Sequence, residues 1–343
     1  MLASRAMRSR RIRLFVKLGI SSGLLILVLS IVPISEVFGA LLQTHLPLLA
    51  CAVPLVLAGP FLSASRLKIL TRAQGMGSPL PQLVQINFAV CWYGLFLPGH
   101  LAGGAIRWYL LSRLENRSAE ALAAVVLSRL NYLAVLAALG VLFLVLDVSA
   151  DYGPAMLLGL LPLLLIAGIP AVASWPLWRR LSHRAGDGFV GRLLAAVSQY
   201  QSLSHRQAAA VSAISALENM VGVIVVLLLA AAVSVEVPFL TLGWMRSAVQ
   251  LLDNLPLTIA GLGIREASLL VLLEPYGVAG ERAVALAFIL LGRRLLLGLV
   301  GGLLEGIRLL APRAVGRYGA PQSQAIPGNA VPSQSGKLGT PSA

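Results

Sequence analysis

The chain has 343 residues, of which 58% are apolar and 12% charged, where soluble domains average about 45–50% and about 25%. With a mean hydropathy of +0.86, that composition excludes an ordinary soluble enzyme, a disordered chain and a disulfide scaffold. The 27 basic and 13 acidic residues give a formal charge of +14. The basic residues cluster in short stretches between long apolar runs, so the excess reads as membrane topology and not as a nucleic-acid surface.

Residues 1–13 form a basic N-terminus with Arg5, Arg8, Arg10, Arg11 and Arg13. The apolar run behind it is too long for a signal-peptide core and reads as an uncleaved anchor. A membrane helix needs about 20 mostly apolar residues. Six runs qualify: 14–34, 46–65, 120–146, 154–175, 208–235 and 283–310. Two more apolar stretches are interrupted. Residues 82–112 hold Pro98, Gly99, Gly103 and Arg107; residues 238–276 hold Pro256, Gly261, Gly263, Arg265 and Glu266. Irregular backbone at membrane depth is tolerated only where protein or a wet cavity covers it, so both read as re-entrant helical hairpins. Residues 176–207 read as a basic cytoplasmic loop, and 312–343, rich in Pro, Gly, Ser and Gln, as a disordered tail. Cys51 and Cys91 lie inside apolar runs and read as small buried residues, not as a disulfide or metal pair. The expected fold class is an all-α polytopic membrane protein with about six full transmembrane helices and two hairpins.

With the N-terminus in the cytoplasm, nineteen Lys and Arg fall in cytoplasmic segments, Arg66, Lys68 and Arg72 among them, and one, Arg282, on the opposite side. That bias places both termini in the cytoplasm.

The interrupted stretches resemble each other. Residues 97–107 read LPGHLAGGAIR and 255–265 read LPLTIAGLGIR, an offset of 158. Leu127, Arg129 and Leu133 are echoed by Leu291, Arg293 and Leu297. The chain therefore reads as two repeats, 14–150 and 151–311. Three crossings precede the second, so it is inverted, a pattern that points to a transporter with its site near the midplane.

Charge at bilayer depth needs a partner or a cavity. Arg107 and Arg265 each follow a Gly-rich break, and a guanidinium fork there suits a phosphate. Glu266, Glu218, Arg129 and Arg293 complete the expected substrate-binding set. Several readings stay open. Arg107 also reads as an interfacial anchor, and Arg129 and Arg293 equally as ion-pair partners of Glu218 or Asp253. Asp253 and Asn254 also read as a helix cap, His100 as a hydrogen-bonding hairpin residue, and Trp244 and Arg246 as an interfacial belt. There is no P-loop, zinc motif or nucleophile elbow. Neither a catalytic residue, a metal nor a cofactor is expected.

The segments FLPGHLAGGAIRWYLL (96–111) and LDNLPLTIAGLGIREASLL (252–270) resemble the transmembrane region of lysylphosphatidylglycerol synthase/flippases and related bacterial inner-membrane proteins, over roughly 10–310. The resemblance implies a flippase-like protein acting on phospholipid or polyprenyl-phosphate-linked lipid. It carries over to Pro256, Gly261, Gly263, Arg265 and Glu266; the internal repeat extends it to Pro98, Gly103 and Arg107. Trp108 stands where the second half has Glu266, so the hairpins are not chemically equivalent. The synthases' aminoacyltransferase domain has no counterpart here, so aminoacyl transfer is not expected. The alternatives are an intramembrane lipid-modifying transferase, or a structural accessory whose partners are lipid-synthesis enzymes.

Overall fold

A computed structural model describes residues 34–96, 100–147, 203–254 and 264–310, with isolated residues between 188 and 193. The spans expected at 14–34 and 154–175, the tail, and Pro98, Gly99, Pro256, Gly261 and Gly263 lie outside the described residues. The described residues are helical throughout, without a strand: α1 (Ile34–Leu42), α2 (Leu46–Ala73), α3 (Leu80–Phe96), α4 (His100–Glu115), α5 (Ser118–Leu146), α6 (His205–Ala232), α7 (Phe239–Asn254), α8 (Ile264–Leu273) and α9 (Gly280–Leu310). Among them α2, α5, α6 and α9 are long and apolar enough to cross a membrane.

Local chemistry sets the boundaries. Pro47, in the first turn of α2, needs no helical partner for its missing N–H. Ser204 caps α6 by accepting from the Gln207 amide, and the Gln207 side chain accepts from the Ser204 amide in return. α2 runs past the expected end at residue 65 because Arg66, the first charge met, is satisfied inside the protein and not in a loop.

Both interrupted stretches fold back on themselves. Ser78, before α3, donates to the Glu115 carboxylate at the end of α4, and a Cβ on Gly103 would sit 3.3 Å from Val90. α3 and α4 therefore run antiparallel from a closed base at 78 and 115. At 17 residues α3 is about 25 Å long, shorter than a hydrocarbon core of about 30 Å. In the second stretch Arg265 on α8 meets Asp253 on α7, and Val249 and Leu269 line one pocket, so these arms also lie antiparallel.

Contacts in one half have counterparts in the other. α2 packs on α6, α3 on α9, and α7 on α5. α2 and α6 run antiparallel: the His45 amide donates to the Ala232 carbonyl at one end, and Arg66 meets Glu218 further along. α3 and α9 are antiparallel as well, with Leu95 beside Gly298 and Trp92 beside Gly302. So are α7 and α5, where Thr241 and Trp244 donate to Asp147 and Arg129 donates to Asn254. The loops repeat too. Gly75 and Ser234 both take left-handed φ, 69° and 56°. Each receives an arginine from the start of a long helix: Arg117, the N-cap of α5, donates to the Gly75 carbonyl at 3.2 Å, and Arg282, in the first turn of α9, to the Ser234 carbonyl at 3.0 Å.

Two apolar cores result. One gathers Leu67, Leu83, Ile86, Leu111 and Ala124 around the first hairpin. The other gathers Val226, Met245, Leu272, Leu273 and Leu286 around the second.

Candidate functional site

A cavity of about 220 Å³ opens between the cores, large enough for several waters. α3 contributes Asn87 and Cys91, and α7 contributes Arg246 and Gln250, each pair one helical turn apart. Ser63 comes from α2, Arg107 from α4, Tyr132 from α5, Glu218 from α6 and Arg293 from α9. Each of these polar residues lies within about one turn of the midpoint of its helix. The cavity therefore sits at half-height in every helix that builds it.

The wall is cationic. Arg107, Arg246 and Arg293 line it together with one carboxylate among the described residues, Glu218. The Nε atoms of Arg107 and Arg293 are buried without a hydrogen-bond partner. Arg246 Nη1 reaches only the neutral side-chain oxygen of Asn219, at 3.4 Å. It has room because Gly222 faces it: a Cβ there would lie 2.0 Å from the Arg246 guanidinium.

Glu218 is held by Arg66. Arg66 is 3% exposed and is surrounded on three sides. Its Nε donates to Ser128 Oγ at 3.0 Å, Nη1 to Ser215 Oγ at 3.3 Å and Nη2 to Ser63 Oγ at 3.4 Å. Its guanidinium lies 5.2 Å from the Tyr132 ring centre, a favourable cation–π distance.

A smaller pocket of about 40 Å³ adjoins the cavity and shares Arg246, Gln250 and Arg293 with it. Asp253 lies there, 4% exposed, and accepts from Arg265 and, at 3.2 Å, from Arg294. At the offset of 158 that relates the two segments, the residue matching Asp253 is Leu95. Thus Arg265 is clamped by a carboxylate, and Arg107, at the matching place of the segment 97–107, faces the cavity.

With this geometry, the family model described as lysylphosphatidylglycerol synthase TM region matches residues 14–302. The chain belongs to that family. It is a multi-pass membrane protein, as its long apolar helices require. No curated protein and no solved structure matches the chain.

Of the residues singled out in the sequence, Arg107, Arg293 and Glu218 come together in the cavity. Arg265 lies in the adjoining pocket. Glu266 is buried, 1% exposed, beside it on α8. Arg129 stands apart from the cavity wall, bonded to Asn254. Gly103 supports the hairpin by letting α4 approach Val90. The His100 side chain lies outside the described features.

Other expectations are corrected. Trp244 and Arg246 form no interfacial belt: Trp244 is 3% exposed and donates to Asp147 at 2.9 Å, and Arg246 lines the cavity. Arg66 is an interior cation, not a loop charge. Asp253 serves two arginines instead of only capping α7, and the partner of Glu218 is Arg66. Cys51 is exposed and Cys91 half-buried on the cavity wall. Sequence reasoning missed Asn87, Gln250 and Arg246 as cavity residues. The available signal was their four-residue spacing, 87 with 91 and 246 with 250, which puts each pair on one face of its helix.

Proposed function

We propose that this protein is a flippase-like transporter that moves a phosphate-bearing lipid, a phospholipid or a polyprenyl-phosphate-linked lipid, across the cytoplasmic membrane without hydrolysing ATP. The halves act as an inverted repeat, the two hairpins enter the bilayer from opposite faces, and the cavity between them receives the headgroup. The observation that carries this reading is the arginine-lined cavity at half-height between two antiparallel halves. An uncompensated cation at membrane depth is costly and marks a pathway, and a guanidinium is the side chain best suited to grip phosphate oxygens. Membership of a family defined by its membrane region agrees with it.

Reconstitution into liposomes with headgroup-labelled lipids tests the proposal. The Arg107→Gln/Arg293→Gln double variant is expected to lose at least about tenfold in transbilayer rate, since each charge-assisted phosphate contact contributes about 1.5–3 kcal/mol. Equal rates for wild type and double variant would refute the assignment.

A further inference from the structure

The charge around the cavity narrows the headgroup, an inference that rests on the transport reading above. Three guanidiniums line the wall, from Arg107, Arg246 and Arg293. Glu218, the carboxylate on that wall among the described residues, is engaged by Arg66 from behind it. The remaining contacts of Arg66, to Ser63, Ser128 and Ser215, are neutral. The Glu218 charge is therefore taken up in balancing Arg66 and is not left over for the lining cations. Asn219, which accepts from Arg246, is neutral too, and the Nε atoms of Arg107 and Arg293 have no partner.

A phosphodiester carries one negative charge. It would leave two of the three cations facing each other in a low-dielectric space, where like charges repel far more than in water. An amine-bearing headgroup would add a fourth cation. A phosphomonoester or diphosphate supplies two or more charges and enough oxygens to accept from all three forks. We propose that the cavity selects a phosphate group bearing at least two negative charges, a phosphomonoester or diphosphate, over phosphodiester, zwitterionic and cationic headgroups.

The full chain in phosphatidylcholine nanodiscs provides the test, with short-chain phosphatidic acid, phosphatidylglycerol, phosphatidylethanolamine and inorganic pyrophosphate as probes. Phosphatidic acid is expected to bind at least about tenfold more tightly than phosphatidylglycerol, and phosphatidylethanolamine not measurably. Arg246→Gln should shrink the first ratio to about threefold or less, and Arg246→Lys should restore it. The wild-type ratio decides the matter even where a variant fails to fold. Pyrophosphate competing as well as phosphatidic acid would support the charge requirement and identify a soluble dianion as the source. Phosphatidylglycerol binding as tightly as phosphatidic acid, with both lost in Arg107→Gln, would overturn this inference and leave the transport reading standing. Absence of binding by every anionic probe would overturn both.

Discussion

Arg66 and Glu218 are more than a matched pair of charges. Removing one partner leaves the other ionised inside the membrane region, a loss of about 3–5 kcal/mol for buried pairs. Arg66→Met and Glu218→Leu are each expected to lower stability by that order. An apolar replacement of both, Arg66→Met with Glu218→Leu, should recover most of it, because neither desolvated charge then remains. Thermal unfolding of the four proteins in detergent gives the coupling; additive losses would show that the two side chains do not depend on each other. The pair was hidden in the sequence. Arg66 ends an apolar run, where a charge looks like the start of a loop, and its carboxylate lies 152 residues away on another helix. Arg246 was obscured in a similar way. Next to Trp244 it resembled a membrane-surface pair, and only Gly222 on the opposing helix explains how its head fits inside. Arg107 and Glu218 were readable because a charge within an apolar stretch has no cheap solvent-facing alternative.

Helix packing rests on close approach. A Cβ on Gly301 would lie 2.1 Å from the Phe88 carbonyl oxygen, which as backbone cannot swing away, and one on Gly298 would lie 2.3 Å from Leu95. Small residues of this kind let membrane helices touch where the hydrophobic effect gives no drive. Gly301→Leu is therefore expected to push α9 off α3 and cost about 1–3 kcal/mol by overpacking. Gly306→Ala, with nothing within 4 Å of the added atom, should be neutral or stabilise by up to about 1 kcal/mol. Unfolding midpoints of the two variants check this; equal effects would refute the packing account. The long helices were evident from hydropathy, and the hairpins from proline and glycine in the middle of apolar stretches. Their ends were less so. α2 extends two turns past residue 65 because interior serines accept from Arg66, and hydropathy carries no record of such partners.

The arrangement of the whole chain makes a directional prediction. Ser78 and Glu115 close the base of the first hairpin, so cysteines placed at the exposed neighbouring positions 77 and 116, in a Cys51→Ser/Cys91→Ser background, should react with a membrane-impermeant maleimide from the same face. Cysteines at 236 and 278, near the base of the second hairpin, should react from the other face. Labelling of all four from one face would refute the inverted arrangement. The likeness of the two eleven-residue segments was readable from shared proline, glycine and arginine, and one difference from Trp108 against Glu266, but the clamp on Arg265 was not. Position 253 holds a carboxylate gripped by two arginines, and position 95, its match at the offset of 158, holds leucine. If the halves exchange shapes during transport, the molecule has two poses of unequal energy: in one a fixed anion quiets the turning arginine, and in the other nothing of the kind is at hand. Such a device rests with its mouth toward one leaflet and relies on its cargo to reach the opposite pose, so an empty return becomes the slow half of the cycle.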